Sequence, residues 1–235
     1  EILAYGLVQA LELMHAPQGF EPVFFASLGW YSGVSQVKET ARAAIKTIMD
    51  DPSPQLKNII IKDTDYTHKL RALEAADEST APAAAKCEIA RIGLDQGLTA
   101  HESDVQKSTQ LSDIRVKSVR ILAANQDKST ETVALYQKML EQKYKFDELL
   151  LAYAALGKNG SEAAVTLLIA RMNDFNERQK AGKNTADDRK LIMQIIQSLK
   201  DCGNGRAKPV LVEAQFSNHD GTVARTAAEV AATLP

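Results

Sequence analysis

Two cysteines, Cys87 and Cys202, are all the thiols in 235 residues. Two are too few for a disulfide framework, and too few on their own for a zinc site. Cys87 sits in AAAKCEIARIG, the setting of a buried core thiol on an apolar helix face. Aromatic residues make up only 6% of the chain. β-Branched residues seldom alternate with polar ones, so the pattern of half-buried strands is missing. There is no basic excess: the formal net charge is −2, whereas a protein built to coat DNA or RNA usually carries surplus lysine and arginine. A local basic patch is still compatible with that balance. No segment holds the roughly 18 apolar residues needed to span a bilayer. The H-x-x-x-H, CxxC, GxGxxG and P-loop patterns are all absent. The chain opens at Glu1 inside an apolar run, EILAYGLVQALELM. That reads as a trimmed or mature chain, so localisation is not legible.

What is present points to helices. Apolar residues at 45% and charged residues at 25% are ordinary for a globular chain, and plentiful alanine favours helix. In SQVKETARAAIKTIM, residues 35–49, Val37, Ala41, Ala44, Ile45, Ile48 and Met49 form one stripe of an α-helix. Lys38 flanks that stripe, while Arg42 and Lys46 lie further round it, one turn apart. The template is an apolar or small residue, a base, two free positions, a small residue, two free positions, then two small or apolar residues. It recurs as His68–Lys69 with Ala72, Ala75 and Ala76, and as Ile114–Arg115 with Ser118, Ile121 and Leu122. Asp188–Arg189 with Ile192, Ile195 and Ile196 is another copy, and Ala224–Arg225 with Ala228, Ala231 and Ala232 is the last. A weaker copy runs through Glu148, Leu151, Ala154 and Ala155, with an acid in place of the base. The marker positions step by 31, 46, 33, 41 and 36 residues. Self-similarity on this scale is the mark of a solenoid, in which each unit covers the apolar face of its neighbour.

Further helices are expected between the marked ones, from GFEPVFFASLGWY, SPQLKNIIIK, TAPAAAKCEIARIGL, STETVALYQKML, SEAAVTLLIARM and GRAKPVLVEAQF. Ser53 reads as an N-cap before Pro54. Thr80, Ser129 and Ser161 are further N-cap candidates, and Thr185 with Asp188 resembles a capping box. Gly33, Gly157 and Gly203 fall where helices should stop.

On these motifs the chain resembles HEAT repeats, helical hairpins of about 40 residues. The resemblance covers nearly the whole chain as roughly six hairpins, and it implies an all-α superhelix forming one domain over 1–235. It also implies a ladder between an aspartate near the turn and a base early in the second helix. Lys38, Lys69, Arg115, Arg189 and Arg225 hold the ladder position. Asp113 with Arg115, Asp187 or Asp188 with Arg189, and Asp220 with Arg225 match the family picture. Lys38 lacks a nearby preceding aspartate, and Glu148 reverses the charge.

Two polar stretches, 95–113 and 173–188, read as long loops, either tolerated insertions or carriers of specificity. His101–Glu102 is a single pair in a polar stretch, and His15, His68 and His219 lack a following glutamate. Neither metal nor cofactor is expected. Ser27 and Ser32 flank LGWY without a nucleophile-elbow motif. Phe20, Phe24, Phe25, Trp30 and Tyr31 make the densest aromatic cluster, read as core or as a partly exposed anchor. Arg42, Lys46, Lys117 and Arg120 are the candidate partner-binding residues. Leu73 and Val119 fall among the same groove positions, and with the near-neutral charge they favour a protein or peptide partner over nucleic acid. The expected function is a non-catalytic scaffold, and the alternative is a HEAT-like nucleic-acid module or repair enzyme with a basic groove.

Overall fold

The computed structural model describes residues 2–29, 35–142 and 144–235. Trp30, Tyr31, Ser32 and Gly33 therefore lie outside the described residues. Within these residues thirteen α-helices and two short 3₁₀ turns account for the regular structure, with no strand, as the composition predicts. The helices are α1 (Ile2–Leu13), α2 (Phe20–Ser27), α3 (Ser35–Ala44), α4 (Ser53–Lys62), α5 (Tyr66–Glu78), α6 (Ala83–Thr99) and α7 (Val105–Ala124). They continue with α8 (Thr130–Glu141), α9 (Phe146–Asn159), α10 (Glu162–Lys180), α11 (Ala186–Cys202), α12 (Lys208–Ala214) and α13 (Gly221–Thr233).

Packing divides the chain into two compact units, residues 1–121 and 122–235. In the first, α1 and α2 pack on α3, α4 packs on both α5 and α6, and α5 touches α6. The α6–α7 approach is close. A Cβ added to Gly93 would stand 2.8 Å from Ser118 Oγ, and one on Gly97 would stand 2.8 Å from Arg115 Cγ. In the second unit α8 packs on α9, α10 on α11 and α12 on α13. Helices two apart also meet, α8 with α10, α9 with α11, α10 with α12 and α11 with α13, and the α9–α11 contact is the most extensive.

The marked helices share one buried frame. On α3 and the turns that follow it the frame is Val37, Ala41, Ala44, Ile45 and Ile48, and on α11 Asp188, Ile192, Ile195, Ile196 and Leu199. On α5 Ala72, Ala75 and Ala76 are buried, and around the middle of α7 Ile114, Ser118, Ile121 and Leu122. The last copy is shifted by one residue from its template. Val223, Ala227, Val230, Ala231 and Leu234 are buried on α13 and its end, while Ala228 is half-buried and Ala232 exposed. Turning two valines and a leucine inward removes more apolar area from water than turning alanines inward. The weak copy shifts likewise: Glu148, Ala152, Ala155, Leu156 and Asn159 are buried on α9, and Leu151 and Ala154 only half-buried.

Several local expectations are met and several corrected. Ser129 Oγ accepts from the Thr132 amide, Ser161 Oγ from the Ala164 amide, and Thr185 with Asp188 closes a capping box. Gly203 ends α11 in the left-handed conformation at φ 60°. Gly157 does not end a helix, because α9 continues to Asn159 and Gly160 takes the left-handed position. Ser53 is the first residue of α4 and its amide donates to Asp51. Thr80 donates to the Asp50 carbonyl instead of capping α6. Helix α3 stops at Ala44, and the chain tightens through Lys46 and Thr47 amides bonded three residues back. The largest correction concerns the two polar stretches. Residues 95–99 and 105–113 are helical, as are 173–180 and 186–188, leaving connections of only 100–104 and 181–185. Gln, Lys, Glu and Arg are good helix formers, and Leu111, Met172 and Phe175 suffice as a sparse buried stripe. The polarity marks the exposed faces of long helices.

Candidate functional site

The four candidate surface residues lie in the first unit, and three of them are already ion-paired. Lys46 Nζ is 3.2 Å from Glu78 and Lys117 Nζ 2.7 Å from Asp77. Both acids come from the last turn of α5, so its acidic end meets a base following α3 and a base on α7. Arg42 lies 3.5 Å from Glu39 on its own helix. Arg120 is exposed. These are partly exposed contacts of about 0–1 kcal/mol each, so they neutralise the face more than they stabilise it. Leu73 and Val119 do not line an open groove, because both are fully buried. The same unit exposes apolar side chains along α1, among them Ile2, Leu3 and Leu7. In the aromatic cluster Phe20 and Phe24 are core. Phe25 is half-buried, with its ring edge-on to His68 at 5.4 Å.

The ladder residues occupy different settings. Lys38 is half-buried and Arg225 exposed. Arg115 is buried, and its guanidinium donates to the Gly97 carbonyl at 2.9 Å. Arg189 Nε donates to Asp220 Oδ2 at 2.8 Å, so Asp220 pairs with the base of the preceding marked helix. Asp188 instead binds Arg178 and the Thr185 cap. Lys69 is nine-tenths buried and donates to Gln96 Oε1 at 2.6 Å. Burial holds its pKa below the ordinary lysine value, with Asp63 partly opposing.

Lys69 belongs to a cleft that is not among the sequence candidates. The α4–α5 turn and the α6–α7 connection face each other across about 570 Å³. Tyr66 OH donates to Glu102 Oε1 at 2.8 Å across it, and Gln110 donates to Thr67 at 2.9 Å. Asp63 accepts from the Asp65 amide at 2.9 Å and meets His68 Nδ1 at 2.7 Å. Burial works to raise the Asp63 pKa, but these hydrogen bonds and the Thr64 amide outweigh it and hold it low. The available signal was spacing. Asp63, Tyr66 and Lys69 share one turn region, and Gln96 and Glu102 bracket the next.

The second unit has a smaller counterpart of about 270 Å³, where the α10–α11 connection meets the α12–α13 turn. Asn176 is fully buried, donates to the Val210 carbonyl at 3.2 Å and meets His219 Nε2 at 2.9 Å through Oδ1. Burial pushes the His219 pKa below its ordinary value of 6.5, with Asp220 partly opposing. The unfolded chain therefore takes up a proton before the folded one does. Stability is unaffected above about pH 6.5 and falls as pH drops through that value toward the folded pKa. The urea midpoint of the second unit should decline between about pH 7 and pH 5, and His219→Gln, which keeps a donor toward Asn176, should flatten that decline. Superimposable wild-type and variant profiles would refute this assignment.

His101 is exposed and its neighbour Glu102 is engaged by Tyr66. Among the described residues no three His, Cys, Asp or Glu side chains gather as a metal site requires, and no helix is long and apolar enough to cross a membrane. Cys87 is buried, as expected. Burial, with help from Asp201, pushes the Cys202 thiol up to about 11, which keeps it protonated and a poor nucleophile at neutral pH. No protein-family model matches the chain, and no curated protein sequence matches it.

Proposed function

We propose that each unit is a stack of HEAT-like hairpins and that the protein is a non-catalytic scaffold for a protein or peptide. The observation carrying this reading is a set of ion pairs that join helices two apart in the chain. Lys46–Glu78, Lys117–Asp77 and Arg189–Asp220 link the marked helices. Lys57–Glu88 and Lys180–Glu213 link the intervening ones. The shared buried frame supports the same arrangement, since stacked repeats present equivalent faces to equivalent neighbours. Repeat stacks offer extended surfaces, and the step from architecture to binding is made by analogy.

Arg42, Lys46, Lys117 and Arg120 are the proposed partner surface. An acidic partner would exchange their present carboxylates for its own. Pull-down from native lysate, repeated with all four positions changed to glutamate, tests it: the specific partner should be lost from the quadruple variant. A partner retained by that variant rejects this surface. The same preparations should not retard duplex DNA at moderate salt. Submicromolar binding that weakens steeply with salt would instead support the nucleic-acid alternative, because phosphate contacts release counterions.

A further inference from the structure

We propose that Lys69 anchors a single carboxylate group in the cleft between the α4–α5 turn and the α6–α7 connection. This inference does not rest on the repeat reading or on the four-residue surface. An ammonium has three hydrogens to donate, and Lys69 gives one to the neutral amide oxygen of Gln96. The residue is nine-tenths buried, yet it lines an open cleft of about 570 Å³. A buried charge without a charged, hydrogen-bonded partner is costly. The nearby acids do not supply one. Asp63 attracts Lys69 only across space, its hydrogen bonds going to the Asp65 amide and His68, and Glu102 accepts from Tyr66. The cleft thus holds one under-compensated cation whose remaining donors suit an oxyanion.

Charge narrows the class. Asp63 and Glu102 both line the cleft, as does the exposed Lys62. Water screens that exposed charge, so it offsets the two half-buried carboxylates only in part, and these repel a dianion more than a monoanion. A carboxylate is therefore favoured over a phosphate. It has two sources of the same chemistry, a small free acid or an aspartate or glutamate side chain of a partner.

The test is an NMR titration of the lysine ε-methylene signals in the intact chain. Lys69→Met assigns the Lys69 signal by its loss, and Lys69→Arg serves if the methionine variant fails to fold. Acetate at constant ionic strength should shift the Lys69 signal saturably, leave exposed lysines nearly still, and act more strongly than inorganic phosphate. Glu102→Gln, which removes a repelling charge, should tighten acetate binding several-fold. A capped glutamate peptide that saturates at lower concentration than acetate would assign the carboxylate to a protein partner, whereas equal saturation would assign it to a small acid. A Lys69 signal that does not move, or moves no more than those of exposed lysines, or responds equally to phosphate, would overturn the proposal.

Discussion

Leu73→Ala should cost the first unit about 2–5 kcal/mol. Leu73 is fully exposed to packing and not at all to solvent. Its two methyl carbons would stand 3.1 and 3.2 Å from a Cβ placed on Gly93 of α6, so the leucine fills the space that the missing side chain leaves. Truncation leaves a cavity that neighbouring helices fill only in part, and this adds to the lost transfer free energy. The value decides between two placements of the residue. A leucine lining an open groove would lose only about 0.5 kcal/mol on truncation. Urea denaturation followed by circular dichroism measures the loss, since every described element is helical. A midpoint unchanged by the substitution would return Leu73 to the groove.

Gly157→Val should destabilise the second unit by about 1–3 kcal/mol. Two effects oppose each other. Glycine within a helix is unfavourable, and valine regains about 0.4 kcal/mol of helix propensity. But a Cβ at 157 would stand 2.9 Å from Ser198 Cα and 3.0 Å from Ser198 Cβ. That neighbour includes backbone and cannot swing aside. Ser198 is also held by a hydrogen bond of 2.8 Å to the Tyr153 carbonyl, on the most extensive helix pair of the unit. Packing therefore outweighs propensity. Circular dichroism during urea denaturation measures the difference, and a variant as stable as the parent would mean that α9 and α11 do not approach this closely.

Much of the helical content was legible because the apolar spacing of 35–49 and its copies has a period near 3.6. Local caps were legible where a side chain acts on its own backbone, as at Ser129, Ser161 and Thr185, and at Gly203, where the lack of a Cβ permits the left-handed conformation. Failures arose where distant contacts decide. Gly157 resembles a helix stop in sequence, and only the approach of Ser198 explains a glycine there. The template also keyed on Glu148 and Arg225, but the larger apolar residues Leu156, Val223 and Val230 fix which face turns inward, one residue away. Stretches 95–113 and 173–188 resemble loops in sequence because polar residues suit irregular connections, but the exposed faces of long helices carry the same composition. The cleft around Lys69 leaves only a faint trace in sequence, the spacing of Asp63, Tyr66 and Lys69 in one turn region. It depends on Gln96 and Glu102 meeting the turn before α5, a contact between residues about 30 apart that no local pattern encodes.

Zero-length carbodiimide cross-linking with mass spectrometry tests the stacked-hairpin arrangement most directly, because it joins lysines only to carboxylates in contact. The predicted products are Lys46–Glu78, Lys57–Glu88, Lys117–Asp77 and Lys180–Glu213, three of which span 31, 40 and 33 residues. Recovery of these pairs, each bridging one repeat step, is the result expected of helices stacked in register. Their absence, with cross-links instead confined within single helices or scattered over unrelated separations, would contradict it.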